Sequence, residues 1–373
     1  ELARQNVAQL IGAEPRTITF TSGGTEANNL ALRGLVEPEL WHRALNGETD
    51  ESTAPAVVTL PVEHSAVRDP AKHLGQHGAD IRMCDVDGDG RVAPASIASI
   101  LDELMAGDAS GSATRTVVVS IQWANNETGV LQPVAEIGEV IATKREALRA
   151  AGITRPRVYF HIDATQAVGK VPVDVEASQA DLLTYSAHKI HGPKGSGALY
   201  VRRMVKLAAL QLGGSQERER RPGTENTIGI LALGKAAELA KEHLANAEAC
   251  ERIRTLRDRF EQSICERIPT AVVNSAGAER LSNTASIAFP GVEAEAILLG
   301  LSERGVCASA GAACSSGSLE PSSVLMAMHM DEPTAHGTVR FSLSRYTTDA
   351  DIDHALEVVP AVVERLMRVL PTG

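Results

Sequence analysis

Residues 181–197 read DLLTYSAHKIHGPKGSG, with Lys189 between an apolar strand pattern and a glycine-rich exit. A lysine amine forms a Schiff base with an aldehyde cofactor once it is partly desolvated or held near another positive group. Ser186 and His188 lie beside it as donors to a phosphate. A lysine taken alone is most often a solvated surface charge; the local context sets this one apart. Residues 21–29, TSGGTEANN, offer the complementary feature. Gly23 and Gly24 let backbone N–H groups approach an anion, the following helix presents its positive end, and Thr25 adds a hydroxyl. The ordinary alternative is a tight connection. No G-K-[ST] follows, so this is not a P-loop.

Further candidates lie elsewhere. Asp163 closes an apolar strand in HIDATQAVGK, residues 161–170. A carboxylate there can hold a pyridinium N–H and keep the ring an electron sink, or it can simply cap a helix. Gln166, three residues on, could reach the ring's phenolic oxygen. His64, in VEHSAV, could stack on a ring and shuttle protons, although a solitary histidine is more often structural. Cys314 sits among small, flexible neighbours in ASAGAACSSGSLEP, where a loop can swing a thiol into and out of a site; the thiolate is its nucleophilic form. Cys307, in ERGVCAS, reads instead as a buried structural cysteine. Arg340, at the head of RFSLSR, could clamp a carboxylate bidentately, with Asn126 of WANNETG in support. A salt bridge and a turn are their ordinary roles. Asp85–Gly90 copies the start of a calcium loop, but Ser96 stands where the twelfth-position Glu belongs. A β-turn is expected there, and no metal site.

These residues need a frame. Residues 1–12 follow helical spacing. Short apolar runs at 18–20, 57–60, 81–84, 117–121, 158–162, 182–185 and 197–201 predict strands, several ending in the polar motifs above. Such strands suit a mostly parallel sheet covered on both faces, with ligands beyond the strand C-termini. Residues 37–55 are polar and are expected to form a surface loop. Residues 230–260 read as long helix. The remainder mixes strands at 285–289 and 338–343 with helices at 293–301 and 350–370. The expected organisation is a large α/β domain over 1–245 and a small α+β domain over 246–373, the latter carrying Cys314 and Arg340.

The 373 residues are 43% hydrophobic and 22% charged, with a net charge of -11. An acidic chain of this kind argues against a broad nucleic-acid footprint, and no apolar stretch approaches a membrane span. The five cysteines are odd in number and form no C-x-x-C, so a reducing compartment is expected: the cytoplasm, or the mitochondrial matrix if the source is eukaryotic. The chain opens on a helix already under way, without Met or a signal peptide, which suggests a missing natural N-terminus.

FTSGGTEANNLAL, VEHSAV, NNETG, HIDATQAVGK, SAHKIHGPKGSGALYV, GGSQERERRPGTEN, ACSSGSLEPS and RFSLSRYTT follow one another along nearly the whole chain. In this order they closely resemble the cysteine desulfurases of the NifS/IscS group, class V aminotransferases of the fold-type I (aspartate aminotransferase-like) pyridoxal-phosphate (PLP) enzymes. The resemblance implies an α/β PLP-dependent transferase fold and a role for each candidate. Lys189 matches the Schiff-base lysine and His64 the histidine over the ring. Asp163 matches the partner of the pyridine nitrogen, Gln166 the ligand of the phenolic oxygen. Gly24, Thr25, Ser186 and His188 match the phosphate cradle. Thr224, in RPGTEN, matches a phosphate ligand donated by the other subunit, which implies a homodimer. Asn126 and Arg340 match the binders of the substrate carboxylate. Cys314 matches the cysteine that takes sulfur from L-cysteine as a persulfide, leaving alanine, and passes it to an iron–sulfur scaffold or a tRNA-thiolation relay.

The chain departs from the family pattern in places. The usual opening segment, Leu-Asp-x-x-Ala-Thr-Thr-Pro, is absent, and Ser344 stands where glycine is usual. ANNETG and RPGTENT resemble selenocysteine lyases more. A selenocysteine lyase and a truncated, non-catalytic scaffold therefore stand as alternatives.

Overall fold

The computed structural model describes residues 1–106, 115–152, 157–311 and 321–369. The chain divides into two compact units. The first comprises Glu1–Asp85, Val92–Ala124 and Gln132–Glu242; the second comprises Val86–Arg91, Asn125–Leu131 and His243–Gly373. Two short loops thus leave the first unit's sequence to join the second.

The first unit is built on seven strands: β1 (Ile18–Thr21), β2 (Ala56–Thr59), β3 (Asp80–Met83), β4 (Thr116–Gln122), β5 (Arg157–Asp163), β6 (Leu182–Ser186) and β7 (Gly197–Val201). Their order is β1-β7-β6-β5-β4-β2-β3. Only β7 runs antiparallel to its neighbours; β2 to β6 pair in parallel. Every residue of β1, β2, β6 and β7 is buried, because helices cover both faces and leave no solvent side to alternate with. Those helices are α1 (Leu2–Leu10), α2 (Gly24–Asn46), α3 (Ser65–Gln76), α4 (Pro94–Ala106), α5 (Val134–Ala150) and α6 (Thr227–Ala245).

Two sequence expectations fail here for identifiable reasons. The segment 37–55 is not a surface loop throughout, since α2 continues to Asn46 and ends on Gly47 in the left-handed conformation. Pro38 lies inside this helix. It has no N–H to give to the Gly34 carbonyl four residues back. Ala208 N donates to that carbonyl instead, at 3.0 Å. Gly34 permits the approach, because a Cβ there would lie 2.7 Å from Ala208 O. The second failure is the helix at 230–260. It is two helices, α6 and α7 (Ala247–Arg267), broken at Asn246. Asn246 takes an extended conformation and its side chain accepts from Ala249 N at 3.0 Å, an N-cap that starts a new helix.

The second unit contains β8 (Val272–Val273), β9 (Thr284–Ala288), β10 (Ser309–Ala310) and β11 (Thr338–Ser342), with α7, α8 (Ala294–Ser302), α9 (Ser323–Ala327), α10 (Glu332–His336) and α11 (Asp349–Val369). Its sheet is antiparallel in the order β10-β11-β9-β8. Phe260, Ile264, Ile287, Phe289, Ile297, Val339 and Val359 are among its core residues, and Phe260 meets Phe341 edge-on with centroids 4.9 Å apart. Pro360 lies inside α11 as Pro38 does inside α2. The Leu356 carbonyl it leaves free accepts from Arg267 Nη1 at 2.5 Å. The 85–90 run is a turn, as expected. Gly90 N donates to Asp87 O at 2.9 Å, and the Asp87 carboxylate accepts from Asp89 N and Arg91 N.

Candidate active site

The directions of β1, β2, β4, β5 and β6 bring their C-terminal ends to one edge of the large sheet. Most of the candidate residues follow directly from those ends. Thr21 leads into the Gly23–Gly24 turn and α2, Asp163 ends β5, and Ser186 ends β6. Thr25 is exposed in the first turn of α2, His188 is exposed, and Lys189 is half-buried in a short 3-10 turn, Ala187–Ile190. A Cβ on Gly23 would lie 3.8 Å from Ser186 Oγ, and one on Gly24 would lie 3.0 Å from Thr165 Oγ1. The glycine turn is therefore packed against the ends of β5 and β6. Gly197, opposite both Thr21 and Ser186 in the sheet, leaves the space for it: a Cβ there would stand 2.6 Å from Gly23 Cα.

Asp163 is only 6% exposed. Its Oδ2 accepts from Asn28 Nδ2 at 2.7 Å and its Oδ1 from Thr165 N at 2.9 Å. The second bond shapes the turn after β5, where no helix starts for Asp163 to cap; the first comes from α2 and is not signalled by spacing. Trp123 N donates to the Asp163 carbonyl at 2.8 Å and fixes the strand end. Thr165 Oγ1 and Asn28 Oδ1 are buried without a hydrogen-bond partner among the described residues.

His64 is the N-cap of α3, and its Nδ1 accepts from Ala66 N at 3.0 Å. That bond puts the proton of the neutral ring on Nε2. Burial holds the imidazole below its ordinary range; the charge of Asp163 opposes this and that of Lys189 adds to it. These three groups share one electrostatic neighbourhood. Ser186 Oγ and His188 Nδ1 are 2.8 Å apart. Burial, then the charges of Lys189, Lys194 and Lys170, also lower His188. Gln166 Oε1 accepts from Lys170 Nζ at 2.7 Å. Thr224 is exposed in the segment leading to α6. Three residues earlier, Arg221 Nε donates to Glu26 Oε1 at 2.9 Å.

The structure adds residues that the sequence did not single out. His161 is fully buried on β5, with its Nδ1 2.8 Å from Ser120 Oγ on β4 and its Nε2 3.1 Å from Thr184 Oγ1 on β6. Burial pushes its pKa down to about 4 against the opposing charge of Asp163. Glu63, beside His64, is 1% exposed and accepts from Gln122 N at 2.7 Å. Its position in VEHSAV was the available signal.

In the second unit, Arg340 lies on β11 and its Nη1 donates to the Asn126 carbonyl at 2.5 Å. Both residues are half-buried, and Asn126 Oδ1 has no hydrogen-bond partner among the described residues. Asn125 Oδ1 shapes the NNETG turn by accepting from Glu127 N and Thr128 N. Cys314 lies outside the described residues. Cys307 is exposed rather than buried: Val306 takes the core position and the next side chain faces out. Among the described residues Cys84 is the buried cysteine, and burial, with Asp85 adding to it, raises its thiol to about 11.

A mostly parallel seven-stranded sheet with an antiparallel β7, in a chain that also forms a smaller α+β unit, is the fold of the aspartate aminotransferase-like PLP enzymes. The model of the family Aminotransferase class-V matches residues 1–355, and the chain belongs to that family. It is 47% identical over 371 residues to a cysteine desulfurase of Trichormus azollae, covering 99% of this chain and 83% of the relative. It is 42% identical over 370 residues to the cysteine desulfurase NifS of Azotobacter vinelandii, again covering 99% and 83%. Among solved structures it is similar to a NifS-like protein, with a TM-score of 0.81, 31% identity and coverage of 98% and 87%. It is also similar to a NifS-like protein from Rickettsia africae, with a TM-score of 0.78, 28% identity and coverage of 97% and 87%.

Proposed function

We infer that this chain is a PLP-dependent cysteine desulfurase, which converts L-cysteine to L-alanine and takes the sulfur onto Cys314. The observation that carries the reading is the grouping of Lys189, Asp163 and His64 at one sheet edge, in a chain whose relatives over nearly its whole length are cysteine desulfurases. The names of those relatives do not favour the selenocysteine-lyase reading, nor that of a non-catalytic scaffold.

The residues present fit the cofactor. The Asp163 carboxylate is buried and oriented by two donors, leaving acceptor capacity for a ring N–H. The buried Thr165 hydroxyl lacks a partner among the described residues. The glycine turn and the first N–H groups of α2 form an anion cradle beside Ser186. When bound, PLP supplies an electron sink for the pair released at the substrate's Cα. Lys189 would hold the cofactor's aldehyde carbon, and Asp163 the pyridinium. Gly24, Thr25, Ser186 and His188 would hold the phosphate, with Thr224 from the second subunit. Gln166, its oxygen taken by Lys170, has amide N–H groups to offer a phenolic oxygen. His64 would stand over the ring and transfer protons.

Arg340 and Asn126 would bind the substrate carboxylate; Arg340 suits this because its fork meets carboxylates in two parallel bonds. The Cys314 thiolate bonds to the substrate's sulfur as the Cβ–S bond breaks. The bonding pair stays on carbon, which is then protonated to give alanine. Cys314 is left as a persulfide for an acceptor such as an iron–sulfur scaffold or a sulfur-relay protein. A homodimer is supported by Leu212, Ile228 and Leu231, which are 93%, 81% and 65% exposed on either side of the Thr224 segment. No helix among the described residues is long and apolar enough to cross a membrane, and a cytoplasmic setting fits the unpaired cysteines.

The test is alanine release from L-cysteine and from L-selenocysteine, with PLP and a thiol reductant present. Alanine from cysteine supports the reading. Alanine from selenocysteine alone replaces it with the lyase.

A further inference from the structure

One buried carboxyl in the first unit has no part in the chemistry above. Glu63 precedes His64, is 1% exposed, and accepts from Gln122 N at 2.7 Å. Gln122 also donates from its side chain, Nε2 to the Val62 carbonyl at 2.9 Å. Gln122 is also the β4 residue directly opposite Asp163 in the sheet. Two hydrogen bonds from Gln122 thus fasten the loop before His64 to the rung that ends in Asp163. We propose that Glu63 is a positioning residue, whose buried carboxyl clamps the His64 turn to the Asp163 rung and so fixes the two groups relative to each other. The proposal rests on the PLP reading of this edge.

The chemistry of the carboxyl explains why it suits this position. The charged groups facing Glu63 are Asp163 from β5 and Arg68 from α3. Burial, reinforced by Asp163, raises the Glu63 carboxyl well above the ordinary range, against the Gln122 N–H and Arg68. This direction favours the neutral acid, which still accepts from Gln122 N. Its Oε2 is buried with no partner among the described residues, which a neutral acid tolerates better than a carboxylate.

The experiment compares the full chain with Glu63→Gln and Glu63→Leu. The readouts are the PLP dissociation constant, the pH midpoint of the bound cofactor's absorption band, and kcat and KM for L-cysteine. Glu63→Gln keeps a neutral acceptor at the clamp and is expected to hold the dissociation constant and the pH midpoint within about two-fold and a few tenths of a pH unit of wild type. Glu63→Leu cuts the clamp and is expected to move the midpoint and lower kcat about ten-fold or more with KM nearly unchanged, because a small displacement of a reacting group is costly. A wild-type midpoint and kcat in Glu63→Leu overturns the proposal, and so does a loss in Glu63→Gln equal to that in Glu63→Leu. Should Glu63→Leu not fold, Glu63→Ala removes the same acceptor from Gln122 N with less bulk and must shift the midpoint; an unmoved midpoint overturns the clamp. Wild-type protein that binds PLP but releases no alanine defeats the desulfurase reading alone, because the midpoint still tests Glu63.

Discussion

Asn28 Nδ2 stands 2.7 Å from Asp163 Oδ2, and the two residues are 1% and 6% exposed. They are 135 residues apart in the chain. Their contact joins the first turns of α2, which carry the glycine cradle, to the strand end that carries the carboxylate. Asn28→Ala leaves that oxygen without its donor and is expected to cost about 1–3 kcal/mol of stability. It should also weaken PLP binding. Thermal melting and a PLP titration check this; unchanged values in both would make the pair incidental.

Lys189→Ala removes the amine that would hold the cofactor covalently. The expected result is loss of the absorption band that PLP linked through Lys189 would give in the wild-type protein, with folding intact by circular dichroism. Retention of the wild-type band would move the attachment to another lysine.

Cys314→Ala is expected to keep the cofactor band and cofactor affinity and to lose sulfur transfer. The assay pairs alanine release with trapping of the protein-bound persulfide. Cys307→Ser is the control, since Cys307 is exposed and could compete for the role. Full turnover in Cys314→Ala would turn attention to Cys307.

Arg340→Ala is expected to raise KM for L-cysteine on the order of a hundred-fold, the usual scale for losing one partner of a desolvated charged pair. Arg340→Lys keeps the charge but not the fork and should fall between the two. A KM unchanged in Arg340→Ala would reduce Arg340 to its bond with the Asn126 carbonyl.

His161 gives a pH prediction. Its folded-state pKa, about 4, lies below the ordinary value near 6.5. The unfolded chain therefore binds its proton first as pH falls. Stability is expected to hold above about pH 6.5 and to decline between 6.5 and 4, by about 3 kcal/mol at most from this group. His161→Gln does not titrate and should flatten that part of a melting-temperature profile. An equally steep profile in the variant would assign the loss to other groups.

Much of this was legible in the sequence because it depends on short stretches of chain. Short runs predicted the seven strands of the large sheet; those buried on both faces are mostly apolar, whereas the edge strand β3 is partly exposed. The polar motifs at the strand ends pointed to the candidate site's edge, because ligand-binding residues of open α/β sheets follow the C-termini of their strands. Where local pattern misled, a distant group had intervened. Ala208 satisfied the carbonyl that Pro38 leaves in α2. At Asn246 the signal was local and stood within a strongly helical composition.

The sequence by itself therefore determined the strands, the sheet's buried character and the residue types at its edge, because periodicity and strand-end chemistry are written within a few residues. Only the tertiary structure decided that β7 runs antiparallel between β1 and β6, which places the TSGGT turn against Ser186. Only it decided that Asn28 orients Asp163, that His161 bonds across to β4 and β6, and that Glu63 fastens the His64 loop to β4. Each of these is a contact between residues far apart in the chain. Burial makes such contacts strong and selective, and no local spacing encodes them.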